Sequence, residues 1–182
     1  SDGTNGWEVY NATATVLENT YVANATSGEI IINSQNFAVG LSDKLYYRFL
    51  AEGSKTTSDF QVQFRRDNYY GSLFTNVVYT SLTALVEKLF SGVVVGNGIQ
   101  SVSNFIVRTS TQYVSGDTLK LKKVAIVNLT QTFGAGNEPT KEQMDELMKV
   151  VPNQWWDGEL TLTQKQVVTW QLNLIRKNTM AI

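Results

Sequence analysis

Among its 182 residues the chain has no cysteine, no histidine and only two prolines. Without cysteine, disulfides, thiolate metal sites and a Cys nucleophile are all unavailable. Without histidine, every Ser-His-Asp arrangement and every His-ligated zinc or iron centre is excluded. Charge is sparse as well. Asp, Glu, Lys and Arg make up 17% of the chain, against roughly a quarter in ordinary globular domains. The net charge is −1, and no basic run exceeds Arg65-Arg66 or Lys122-Lys123. Nothing here provides the electrostatic footprint that nucleic-acid binding needs. Apolar runs such as residues 92–95 are far too short to cross a bilayer, so no membrane insertion is expected.

Hydrophobic residues still account for 42%, which supports one domain with its own core and a small appendage. Thr, Asn, Ser and Gln take the place of charge, as suits a β-rich exterior protein. The abrupt start at Ser1-Asp2-Gly3-Thr4 and stop at Met180-Ala181-Ile182 are those expected of a piece of a longer protein.

Residues 1–130 read as short strands separated by turn clusters. Strands are predicted over residues 7–17, 21–25, 29–33, 45–51, 59–65, 85–94, 99–109 and 118–129, with an irregular or partly helical 81–84. The clearest alternation is in 59–65: Phe60, Val62 and Phe64 point inward, Gln61, Gln63 and Arg65 outward. Residues 45–51 alternate in the same way, and the two segments read as an antiparallel neighbour pair. Lys122-Lys123 marks an expected bulge. Two layers let each strand bury one face, so the predicted fold is mainly β: a two-sheet antiparallel jelly-roll sandwich.

Composition changes after Thr130. The expected division is a jelly roll over 1–130, then a linker and C-terminal appendage of two helices over 131–182. Thr140 and Gln143 have capping-box spacing, and Met144, Leu147, Met148 and Val151 form an apolar stripe. Glu142, Asp145 and Glu146 then face solvent by periodicity. A second box, Thr163 with Gln166, opens another helix whose Val168, Leu172 and Ile175 follow a short heptad-like seam. Trp155 and Trp156 would expose a large apolar area unless packed. Together with that seam they are the expected oligomer interface.

Gly134-Ala135-Gly136 precedes a helix but lacks the spacing of a phosphate or dinucleotide loop. A tight strand-to-helix turn is the expected role. The carboxylates are scattered through the sandwich and mark no acid–base pair, so no catalytic residues are expected. Aromatic and planar polar side chains suit sugar recognition better. A pyranose stacks its C–H face on an aromatic ring, while its hydroxyls need Asn, Gln, Asp or Arg. The outward faces of 45–51 and 59–65 supply Tyr46, Arg48, Gln61, Gln63 and Arg65, with Tyr69 and Tyr70 just beyond. These seven are the candidate ligand-binding residues.

Residues 124–145 read VAIVNLTQTFGAGNEPTKEQMD. This stretch resembles a junction in phage and prophage tail-fibre, baseplate and other receptor-binding tail proteins of Gram-positive hosts. There the last strand of a carbohydrate-binding-module-like jelly roll ends in an F-G-A-G-N-E-P-T-K/R-E-Q-M/L-D run. The resemblance implies a non-catalytic module that binds host cell-surface glycan on a concave sheet face or at loop tips. Its implied partners are cell-wall polysaccharide or teichoic-acid sugars and other tail proteins. The implied location is the virion tail, as a homo-oligomer, trimeric or hexameric. Jelly rolls of this family often hold a structural calcium; Glu8 and Asp117 are candidates without a supporting spacing, and no cofactor is predicted. The alternative is a purely structural tail or baseplate module that binds no glycan.

Overall fold

The computed structural model describes residues 6–18, 20–66, 74–75, 77–97, 102–109 and 113–150, with the side chains of Val102 and Val150 left aside. The predicted sites at Tyr69, Tyr70, Trp155, Trp156, Val168, Leu172 and Ile175 lie outside these residues, as does the predicted helix opening at Thr163.

Two antiparallel sheets face each other. The first contains β1 (Trp7–Tyr10), β4 (Ile31–Ser34), β10 (Val102–Arg108), β7 (Thr57–Arg65) and β8 (Val78–Leu82) in that order, with β5 (Phe37–Ala38) also paired to β10. The second contains β2 (Ala12–Leu17), β3 (Thr20–Ala25), β11 (Thr118–Asn128), β6 (Lys44–Gly53) and β9 (Lys88–Val95). Two helices follow among the described residues, α1 (Leu129–Phe133) and α2 (Lys141–Val150). The two-sheet sandwich is as the alternation predicts.

Phe60, Val62 and Phe64 are buried between the sheets. They join rings from the second sheet: Phe49 stacks on Phe90 at 5.1 Å and meets Phe105 edge-on at 5.4 Å. Aromatic pairs at these separations add to the burial of apolar area.

Three readings need correction. Residues 7–17 form two strands, not one. Asn11 adopts φ 58, a left-handed turn that Asn tolerates better than most residues. It sends β1 into the first sheet and β2 into the second. Residues 81–84 are not helical: β8 runs to Leu82, Thr83 is irregular and Ala84 forms an isolated bridge with Gly53. Lastly, 45–51 and 59–65 are not neighbours. β6 pairs with β11 and β9, whereas β7 pairs with β10 and β8, so these segments lie in opposite layers. The expected bulge is present: β11 shifts register between Lys122 and Ala125, with Lys123 at φ 52.

The strand-to-helix turn is held by its polar residues. Asn128 caps α1 by accepting from the Gln131 N–H at 3.0 Å. Gly134 and Gly136 take φ 87 and 85, which glycine adopts without steric cost. The Glu138 carboxylate accepts from Thr130 Oγ1 at 3.0 Å, Gly136 N at 2.8 Å and Lys44 Nζ at 3.2 Å. Its own backbone amide and then the Lys44 and Thr130 donors hold its pKa below the usual range, against burial. The capping box forms in both directions: Thr140 N donates to Gln143 Oε1 at 2.8 Å, and Gln143 N donates to Thr140 Oγ1 at 3.3 Å.

Candidate functional site

The outer faces of the two sheets differ. On the second sheet, α2 lies across β6, β9 and β11. Met144, Leu147 and Met148 bury themselves against Tyr46, Ala125, Val127 and Leu129, a small second core outside the sandwich. Tyr46 and Arg48 point away from the main core, as predicted, but the surface they line is covered. Tyr46 is fully buried, and its hydroxyl donates to Asp145 Oδ1 at 2.7 Å. Arg48 Nη1 lies 3.7 Å from the same oxygen. Neither side chain shares a face with Gln61, Gln63 and Arg65, and the single five-residue patch expected from the sequence does not exist as such.

Asp145 is the centre of this contact, contrary to its expected solvent-facing position. It also accepts from Ser91 Oγ at 3.2 Å and Lys141 Nζ at 2.6 Å. Burial by itself would raise its pKa, but the hydrogen bonds from Lys141, Tyr46 and Ser91 outweigh it and hold the carboxyl below the usual range. Burial first, then Asp145, pushes the Tyr46 phenol up, so it remains a donor. The sign for stability follows. Asp145 has a depressed pKa in the folded chain, so its contribution is present above the unfolded-state carboxylate pKa. It is lost as pH falls through the folded value. Acid titration is therefore expected to weaken the α2 contact, and Asp145→Asn should flatten that pH dependence in thermal melts. An unchanged acid limb in the variant would remove Asp145 from this role.

The outer face of the first sheet carries a different arrangement. Cross-strand register aligns Tyr10, Ile31, Arg108, Gln61 and Tyr79 in one row across five strands. At about 4.8 Å per strand the row spans about 19 Å. Tyr79 is 65% exposed at one end; Tyr10 stands half-buried at the other, its hydroxyl bonded to Glu8 Oε2 at 3.1 Å. A second row runs Glu8, Asn33, Ile106 and Gln63. Along β7, Asp59, Gln61, Gln63 and Arg65 are joined side chain to side chain. Arg108 is paired with Glu29. The middle of the face is closed to solvent: Gln61 is 6% and Gln63 1% exposed, and Asn33, Asn104 and Ile106 are buried. The accessible groups are at the edges, around Asp59 and Tyr79 on one side and Glu8 and Tyr10 on the other.

The sequence points to Gln61, Gln63 and Arg65 on this face but misses Tyr10, Tyr79, Asn33 and Asp59. Tyr79 was legible in the alternation of Val78, Tyr79 and Thr80. Asp117, one of the calcium candidates, already holds the Lys55 ammonium at 2.8 Å. Among the described residues there is no group of three or more acidic side chains that could hold a metal ion.

No protein-family model and no curated protein matches the chain. Solved structures do. A CBM4 carbohydrate-binding module aligns with a TM-score of 0.57 at 13% identity, covering 69% of this chain and 96% of that one. The N-terminal cellulose-binding domain of Cellulomonas fimi β-1,4-glucanase C aligns with a TM-score of 0.52 at 12% identity, covering 70% and 91%. An arabinose-bound GH51 α-L-arabinofuranosidase aligns with a TM-score of 0.58 at 12% identity, over 79% of this chain but 27% of the enzyme. At these identities the likeness is one of fold: the chain is a jelly-roll β-sandwich built like a carbohydrate-binding module.

Proposed function

We propose that this chain is a non-catalytic glycan-binding module that uses the outer face of its first sheet. The observation that supports it is the strip of joined planar polar side chains, Asp59 to Arg65, with the exposed Tyr79 ring beside Gln61. This combination offers a stacking surface and oriented hydrogen bonds together.

The finer reading places the module in a phage tail appendage that contacts cell-wall polysaccharide or teichoic-acid sugars of a Gram-positive host, beside other tail proteins. Its support is the FGAGNEPTKEQMD run over residues 133–145. Single-site affinity is then millimolar to micromolar, and display on a trimer or hexamer raises it by about 10²–10⁴. Fluorescently labelled protein should decorate Gram-positive walls. Tyr79→Ala should weaken binding about tenfold. Because the ring is mostly exposed, its removal should alter stability by no more than about 0.5 kcal/mol. Undiminished decoration by the variant would take Tyr79 out of the site.

A structural tail module is the second reading, and the burial of Gln63, Asn33, Asn104 and Ile106 favours it. A face already closed at its centre can serve packing alone. Failure of the multimeric protein to decorate any host wall would select this reading.

A further inference from the structure

Asp59, Gln61, Gln63 and Arg65 occupy alternate positions of β7 and recur at about 6.7 Å on one face. Their bonds all run the same way. Gln61 Nε2 donates to Asp59 Oδ1 at 3.0 Å. Gln63 Nε2 donates to Gln61 Oε1 at 2.6 Å. Arg65 Nε donates to Gln63 Oε1 at 2.6 Å. An ionised carboxylate only accepts and a guanidinium only donates, while an amide can do either at both of its ends. With an acceptor at one end and a donor at the other, only one direction makes all three bonds. Reversing the amides would set carbonyl oxygen against carboxylate and N–H against N–H.

We infer that Asp59 and Arg65 are positioning residues that fix which way the Gln61 amide points, and thereby set which sugar hydroxyls the face accepts. Arg65 acts through Gln63, which is too deeply buried to meet a ligand itself. Gln61 is 6% exposed against 1% for Gln63, stands opposite the exposed Tyr79 in the register, and has its amide held in a single arrangement. A site with fixed donors and acceptors rejects a stereoisomer because a polar group is left unpaired, and such penalties exceed those of a poor apolar fit. An amide able to turn around would meet either isomer. The inference rests on the glycan-binding reading and adds the origin of its selectivity.

The test uses the whole chain with cellohexaose and mannohexaose, which differ in the direction of one hydroxyl per ring. Calorimetric Kd values and side-chain amide NMR spectra are measured for wild type, Asp59→Asn, Asp59→Asn/Arg65→Gln and Asp59→Asn/Arg65→Lys. Wild type should prefer one hexaose by about tenfold or more and show one set of Gln61 and Gln63 side-chain resonances. The double variant Asp59→Asn/Arg65→Gln, whose two ends can each donate and accept, should bring the preference to within about twofold and shift or average those resonances, whereas Asp59→Asn alone, still directed by Arg65, should keep it. Asp59→Asn/Arg65→Lys, which leaves a pure donor at one end, should retain the preference. A merely structural role would not separate the Lys from the Gln variant. An unchanged preference in Asp59→Asn/Arg65→Gln overturns the inference while leaving the glycan-binding reading intact. Failure of wild type to bind either hexaose at millimolar concentration counts against that reading and overturns the selectivity role with it.

Discussion

Tyr46→Ala is expected to unfold the chain at markedly lower denaturant, with a stability loss of about 3–5 kcal/mol, the usual cost of truncating a buried aromatic. The ring fills the space between β6 and α2, where it packs with Met144, Leu147, Met148 and Val127. Its hydroxyl is one of the donors that keep Asp145 ionised against burial. Ala would leave a cavity and remove that donor together. Tyr46→Phe separates the two effects. It retains the ring and loses only the hydrogen bond to a charged acceptor, about 1.5 kcal/mol where the acceptor is partly exposed. Urea melts of the three proteins give the comparison. If Tyr46 stood on an open sugar-binding face, Ala would cost no more than about 0.5 kcal/mol and binding alone would suffer. A near-unchanged midpoint would therefore open the face that Tyr46 and Arg48 line and remove α2 from the sheet.

The second large effect concerns Phe49→Ala, also expected near 3–5 kcal/mol. Phe49 is fully buried on β6. Its ring lies 5.1 Å from Phe90 within the second sheet, and 6.4 and 5.4 Å from Phe60 and Phe105 of the first. It therefore ties both layers together, and small-residue replacement strips contacts from both at once. Set against a typical total of 5–15 kcal/mol, either variant removes a large share of the domain's stability. Phe49→Leu, which keeps most of the volume, should cost less than Ala. A Phe49→Ala midpoint equal to wild type would mean the two sheets do not meet at this ring.

These two residues also show where sequence reasoning succeeds. The alternation of Leu45, Tyr47 and Phe49 against Tyr46, Arg48 and Leu50 gives the two faces of β6 correctly. It does not say what covers the second face. A signal was present, because LYYRFLA is almost continuously apolar, and such runs belong to strands buried on both sides. Reading Tyr46 and Arg48 as outward was right about direction and silent about α2. Asp145 was lost for the same reason. Helical periodicity places it beside the apolar stripe, and only the docking of α2 on the sheet brings it to Tyr46 and Ser91.

What the chain determined unaided is local. Alternation in DFQVQFR sets Phe60, Val62 and Phe64 against Gln61, Gln63 and Arg65, since a strand's side-chain period is two. The Thr140–Gln143 box, the Lys122-Lys123 bulge and the glycine turn at 134–136 are short-range chemistry of the same kind. The tertiary structure alone decided which strands are neighbours, that β6 and β7 lie in opposite layers, and that one outer face is sealed by α2 while the other presents Tyr10 and Tyr79 at its edges. Strand pairing depends on hydrogen bonds between backbone groups that every residue carries alike, so a single sequence encodes each strand's phase far more plainly than its partner.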